Sequence, residues 1–546
     1  MERLSQMLVL LILVAGCSGA PASTEPEGGG SDPTVQAGPK ANTEPVSDTE
    51  KTAAAAVKNL VGGTTTRLAT YPYKTIVSGV TLDENHPAKP IIGVYMPFRV
   101  IDEKMAGLLN ELKHLKSLGG HGITFKPGVL KLLKNHPTLE TLRLEGAADL
   151  TALKDLSDGP PIKELTLGRE SAYTAEHFEA IAKVPSITSV SVDSATFTGD
   201  VSLQAKMLRP LHKLLNLESL EYVVDDFSPE DIVGFAKLKR LNCFAPNKSE
   251  AFFDALAKLP ALRSIHLHWY YPDQNPNGPA GLAKLAALTE LTELQVNFPL
   301  GDANLKALTA LKQMRTLSLP ASQFTKESMD LLATFPRLTS LTLQYAEPPL
   351  TDEITAKLKE LKGLKTLRLH TGTISEATMV AVSNLSELEV LDLSGSQLKP
   401  NADKAMPHIA KLVKLKELHL GNPTYIANNI ITDAGLKELA SLKKLRTLRL
   451  WIGPFTEVGA AALSALTELE TLSLASTLPG ASKAAPQIAK LTKLRVLDLS
   501  SANMLDLTEL ASLKALEVLS IRSHFGGQAP RGIDVLQKAL PNLRVE

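Results

Sequence analysis

Cysteine is almost missing from this 546-residue chain: only Cys17 and Cys243 occur, in such different surroundings that a disulfide between them is not expected. That excludes a cystine-stapled scaffold. Charge of one sign is missing too, since 58 Lys and Arg balance 58 Asp and Glu, leaving no broad basic field to condense on nucleic acid or an anionic bilayer. Aromatics make up 5% of the chain and two are tryptophans, Trp269 and Trp451, so an outward-facing one carries weight in any recognition surface. No Gly-rich phosphate loop, Gly-x-Ser-x-Gly elbow or His-Glu-x-x-His motif is found. The reading is therefore of a protein that is not an enzyme, with no cofactor and no metal.

What is present begins at the N-terminus. Charged Glu2 and Arg3 precede the apolar run Met7 to Val14, which is shorter than the roughly 20 residues a spanning helix needs, and small residues follow directly before Cys17. This reads as a secretion signal over residues 1–16. Val14-Ala15-Gly16-Cys17 resembles the lipobox of bacterial lipoproteins. The resemblance implies a lipidated Cys17 as the mature N-terminus, and a membrane anchor without a spanning helix. Because Ser18 follows and not Asp, it also implies the outer membrane of a Gram-negative bacterium, facing the periplasm or the exterior. The alternative is an ordinary cleaved signal with an incidental cysteine. Residues 17–57, rich in Pro, Gly, Ser and Thr at first, are expected to be a disordered tether reaching about 30 to 35 Å.

From Leu139 the frame Leu-x-x-Leu-x-Leu recurs sixteen times, last at Leu516, at steps of 21 to 30 residues. A fixed period of this length makes each repeat one structural unit, so one elongated array is expected despite the length. Positions one, four and six should point inward and positions three, five and seven outward from a short strand. Cys243 fills an inward position six and reads as a buried small hydrophobe. After several strands a hydroxyl residue precedes acids and an apolar helical pattern: Thr325, Thr351, Ser375, Thr432 and Thr456 are the predicted N-caps.

This alternation of strand and helix resembles the leucine-rich repeat proteins of the class with convex helices. The fold expected from it is an α/β solenoid, curved, with a parallel sheet on the concave face. The family often carries Asn three residues after position six, where it bonds neighbouring backbones. Here that place holds Ser322, Gly372, Ser396, Thr477 or Ala502, so the backbone there must find other partners. Residues 58–114, including the imperfect frame Ile91-x-x-Val94-x-Met96, are expected to be an N-terminal cap with a degenerate first repeat, and Tyr73 to Leu82 an additional strand. The array is expected over 115–546, starting from Leu115-x-x-Leu118 and stopping at Leu543-Arg544-Val545 with little cap.

Outward position five gives the centre line of the sheet face, and polar groups fill it from Arg143 to Ser520. Two groups along it are candidate partner-binding sites. The first combines Arg368, His370, Asp392, His419, Arg449 and Trp451 from four adjacent frames, on strands expected about 4.8 Å apart. The second is His266, His268, Trp269, Tyr270 and Tyr271, before a Pro- and Asn-rich insertion, since loops on a rigid scaffold commonly carry recognition. For both, the bland alternative is a solvated strand face or a loop packed on its own repeat.

The function expected is non-catalytic recognition of a protein, or alternatively a cell-surface glycan, by a membrane-anchored array. A structural spacer of the envelope is the second reading. A hydrolase or metal-dependent enzyme using His370, Asp392 and His419 is the third, because imidazole and carboxylate suit both jobs.

Overall fold

The computed structural model describes residues 45–61, 79–83, 86–146, 150–168, 173–192, 209–222, 232–244, 250–268, 281–346, 348–399, 401–420, 431–452, 456–476, 484–500, 506–521, 530–541 and 543–545. The chain packs as two compact units, Met1–Phe227 and Ser228–Glu546. The signal segment, Cys17 and the first part of the tether lie outside the described residues. Among the described residues no helix is long and apolar enough to cross a membrane.

The first unit opens on the helix Asp48–Val61, so the tether boundary expected at residue 57 falls inside a helix. The physical reason is the change to an alanine-rich run. Ala53, Val57 and Val61 recur at helical spacing and are 3%, 0% and 5% exposed. Glu50, on the same buried side, meets the His114 ring with Oε1 2.9 Å from Nδ1. The strand Gly79–Leu82 then runs antiparallel to Ile91–Tyr95. Residues 73–78 of the expected additional strand lie outside the description.

From Ile91–Tyr95 the ladder is parallel through Ser117–His121, Thr141–Glu145, Glu164–Leu167, Ser189–Val192 and Ser219–Tyr222. The imperfect frames at Ile91 and Leu115 thus enter the sheet as strands, and the antiparallel strand covers an edge that would otherwise be open for pairing.

Among the described residues the second unit's main ladder has thirteen strands, from Arg240–Phe244 to Arg544–Val545, each parallel to its neighbour. Inward positions are dry: Leu364, Leu367 and Leu369 are 0%, 0% and 1% exposed, and Cys243 is 0%. Each such leucine contributes roughly 1.5 to 3 kcal/mol of burial. Behind the strands run α-helices of four to eight residues, or 3-10 turns such as Leu282–Ala287, Ala356–Glu360 and Thr508–Ser512. In fold class each unit is an α/β leucine-rich repeat solenoid.

The predicted N-caps all stand at helix starts. Thr325, Ser375, Thr432 and Thr456 accept a backbone N–H with the hydroxyl, while Thr351 makes no such bond. Their hydroxyls have a second task, joining one repeat to the one before. Thr325 donates to Asp302 at 2.8 Å, Ser375 to Asp352, Thr432 to Asp403 at 2.6 Å and Thr456 to Asp433 at 2.6 Å. The acid in the first turn of one helix therefore anchors the cap of the next.

Backbone groups at the bend after the strand also find a substitute for the missing asparagine. Ser396 is fully buried; its Oγ donates to Leu369 O at 2.9 Å and accepts from Thr371 N at 2.9 Å, in the preceding repeat. This stitch sits at the start of a second small ladder, Gly372–Ile374 against Ser396–Leu398.

Candidate functional site

The strand register places the position-five residues side by side as the frame count requires. In the second unit Asn242, His266, Gln295 and Ser318 are successive partners, and so are Thr342, Arg368, Asp392, His419, Arg449 and Ser473. Arg143, Thr166, Ser191 and Glu221 form the corresponding row in the first unit. Position seven makes a parallel row in which Gln344 faces His370.

Asp392 is the centre of the first candidate group. It is 9% exposed, and three cationic or titratable side chains surround it: His370 Nε2 at 3.3 Å from Oδ1, His419 Nδ1 at 3.7 Å from Oδ2, and Arg368 Nε at 3.9 Å from Oδ2. His370 Nε2 stands at ion-pair distance without the alignment of a hydrogen bond, and His419 Nδ1 lies beyond hydrogen-bond reach. One bond is well formed, from Ser394 N to Oδ1 at 2.9 Å, and it turns the chain out of the strand. Burial pushes the Asp392 carboxyl towards protonation, but His370, His419 and the Ser394 side chain outweigh it and hold the group far below the ordinary carboxylate range. Asp392 therefore stays ionised and its charge is spent within the cluster.

Arg449 sits beside His419 in the register, is exposed, and forms no ion pair among the described residues. Arg368 keeps 40% of its side chain exposed. Both guanidiniums of the patch are thus open to solvent. Trp451 lies on the strand Thr447–Ile452, opposite Ala475. Sequence reasoning missed Gly395, whose absent side chain makes room for His370: a Cβ there would come within 2.8 Å of the His370 Cβ. Its signal is the Ser394-Gly395-Ser396 run straight after the strand.

The second group is brought together only in part, because Trp269, Tyr270 and Tyr271 lie outside the described residues. His266 pairs with a residue the sequence reading did not include, Glu293 of the next strand, at 3.1 Å, and Ser264 donates to the other oxygen of that carboxylate at 2.8 Å. The His266 ring is the main reason the Glu293 carboxyl lies below its usual value. His268 is lowered to about 4, by burial first and the neighbouring His266 second, so it is neutral at pH 7.

Two chemistries can be compared with this geometry. Among the described residues no three His, Cys, Asp or Glu are grouped as ligands for a metal ion. A nucleophilic triad built on His419 and Asp392 requires a hydroxyl or thiol bonded to the far ring nitrogen, and His419 Nε2 is buried with no hydrogen-bond partner among the described residues.

No protein-family model matches the chain, and no curated protein matches it by sequence. Among solved structures, it is similar to a leucine-rich repeat protein of Leptospira interrogans, at 17% identity over 83% of this chain and 95% of that one, with a TM-score of 0.34. It is also similar to the leucine-rich repeat ectodomain of a plant membrane receptor kinase from Arabidopsis thaliana, solved with Casparian strip integrity factor 2. There the identity is 16%, over 91% of this chain and 60% of that one, with a TM-score of 0.38. An internalin of Listeria monocytogenes gives 16% identity, 80% and 87% coverage, and a TM-score of 0.22.

Proposed function

We propose that this chain is a non-catalytic recognition protein that captures a protein partner on the outer face of the second unit's sheet, centred on Arg368, His370, Asp392, His419 and Arg449. The supporting observation is the pairing of a saturated, ionised Asp392 with flanking guanidiniums, of which Arg449 is exposed and free of ion pairs among the described residues. Such a patch is rigid before it meets anything. Side chains fixed on a hydrogen-bonded ladder lose little freedom on association, so more of each contact appears as affinity. Arginine is also over-represented among residues that dominate interfaces. Trp451 belongs to the same strand as Arg449, and His266, His268 and the Trp269 to Tyr271 segment extend the surface in this reading. A glycan is the alternative occupant.

In the same proposal Cys17 carries lipid and anchors the chain at the outer membrane, with the array facing the periplasm or the exterior. Protease added to intact cells tests the orientation, because digestion requires exposure outside and protection requires the periplasm.

The binding face is tested by a photo-crosslinking amino acid placed in turn at Thr342, at Ser473 and, behind the sheet, at the exposed Lys437. A partner joined from the first two positions and not the third supports the proposal. Equal crosslinking from Lys437 would favour an envelope spacer without a dedicated face.

A further inference from the structure

In the first unit an exposed aromatic ring stands on a strained backbone, beside the position-five row that begins at Arg143. Phe98 is 70% exposed and has φ 53, in the left-handed region that disfavours a residue with a side chain. Two backbone bonds enforce this geometry: Phe98 N donates to His121 O at 2.7 Å, and Gly122 N to Glu145 O at 2.5 Å. The ring leans edge-to-face on His121, with centroids 5.3 Å apart. Gly122, at φ 66, and Gly146, at φ 60, leave room for these rings, since a Cβ on either would come within 2.7 Å of the Phe98 or His121 ring.

A strained turn is ordinarily relaxed by Gly or Asn, and a ring that is 70% exposed gains little from burial. Beside it, Tyr95, Gly119 and Arg143 are register partners on the sheet face. Tyr95 donates to Glu145 Oε2 at 3.0 Å, which fixes that carboxylate, while Arg143 is exposed and forms no ion pair among the described residues.

We propose that Phe98 and Arg143 form a docking site for an extended polypeptide segment of a partner, with an apolar side chain seated on the Phe98 and His121 rings and an Asp or Glu carboxylate held by the Arg143 guanidinium. The acid is assigned from charge complementarity, because Glu145 is hydrogen-bonded to Tyr95 and Arg143 forms no ion pair among the described residues. Tyr95 and Arg143 lie on strands two apart, about 10 Å, and Phe98 follows Tyr95 by three residues, so an extended peptide covers the interval in about three to four residues.

The test selects a phage-displayed library of random dodecapeptides against the full chain, then measures a synthetic enriched peptide by fluorescence polarisation. Enrichment of sequences with an acid about three residues from a large apolar side chain is expected. Affinity should fall at least about tenfold in Arg143→Gln and in Phe98→Asn, with no change in the Arg368→Ala, Arg449→Ala double variant. Phe98→Asn should melt at or above the wild-type temperature, because Asn tolerates the left-handed turn. Failure to enrich peptides, enrichment without acids, or undiminished binding by the folded variants would overturn the proposal. So would a lower melting temperature of Phe98→Asn, which would make Phe98 a packing residue.

Discussion

Replacing Gly459 by Ala should destabilise the second unit, although the same change in an unconstrained helix stabilises by about 0.5 to 1 kcal/mol. Gly459 is the third residue of the helix Glu457–Leu463 that follows the Thr456 cap. The carboxylate of Asp433, from the preceding helix, lies against it. Asp433 Oδ1 accepts from Thr456 N at 2.8 Å and Gly459 N at 3.0 Å, and Oδ2 accepts from Thr456 Oγ1 at 2.6 Å. A Cβ on residue 459 would overlap Oδ1 and approach Leu436 Cδ1 to 2.7 Å. The leucine can rotate, but the carboxylate must withdraw from all three donors. Water reaches this edge, so each charge-assisted bond is given about 1 kcal/mol and not the larger value of a buried one. Loss of three against the helical gain leaves Gly459→Ala destabilising by about 2 kcal/mol. In an Asp433→Ala background the obstruction is gone, and the same substitution should be neutral or stabilising. Urea unfolding of the four proteins of this double-mutant cycle, with unchanged slopes, measures the difference. An equal effect of Gly459→Ala in both backgrounds, or stabilisation of the wild type, would refute the bridge.

Ser396→Ala removes a fully buried hydroxyl and leaves Leu369 O and Thr371 N without it, so a loss of about 1 to 3 kcal/mol in urea unfolding is expected. Asp392 is held ionised in the fold while the unfolded chain takes up its proton near pH 4, so its stabilisation is intact above about pH 4 and is lost as the pH falls below it. Asp392→Asn should accordingly show a shallower acid limb in a plot of stability against pH. His268, lowered to about 4 by burial and His266, stays neutral in the fold while the unfolded chain protonates near pH 6.5. Its contribution is complete above about pH 6.5 and disappears as the pH falls towards 4, and His268→Gln should remove that part of the slope.

Frame counting made the sheet face legible because the period of a strand is strict. Once Leu364, Leu367 and Leu369 are assigned inward, Arg368 and His370 can only point the other way, and parallel pairing aligns them with the next repeat. Contacts between repeats were less visible, since variable steps carry Asp403 and Thr432 29 residues apart but Asp433 and Thr456 only 23. A readable trace of those bridges existed in the glycines at 435 and 459, placed where a helix would ordinarily prefer alanine. Ser396 was noted as a departure from the expected asparagine, yet its stitch depends on complete burial, which a sequence does not display. The tether boundary is hard to read because composition changes gradually into the Ala53 to Val57 run, which is already helical. Glu293 escaped notice because it occupies position three, not the central row, and Phe98 because nothing in a sequence marks a strained turn at a phenylalanine.

The central claim is that the outer face around Asp392 is a recognition surface. Its most direct test is quantitative capture from cell-envelope extracts by the wild type and by the Arg368→Ala, Arg449→Ala double variant, with circular dichroism confirming that both are folded. The account predicts that a protein retained by the wild type is lost from the variant, by about tenfold or more. Equal retention of every captured protein by the folded variant would contradict it.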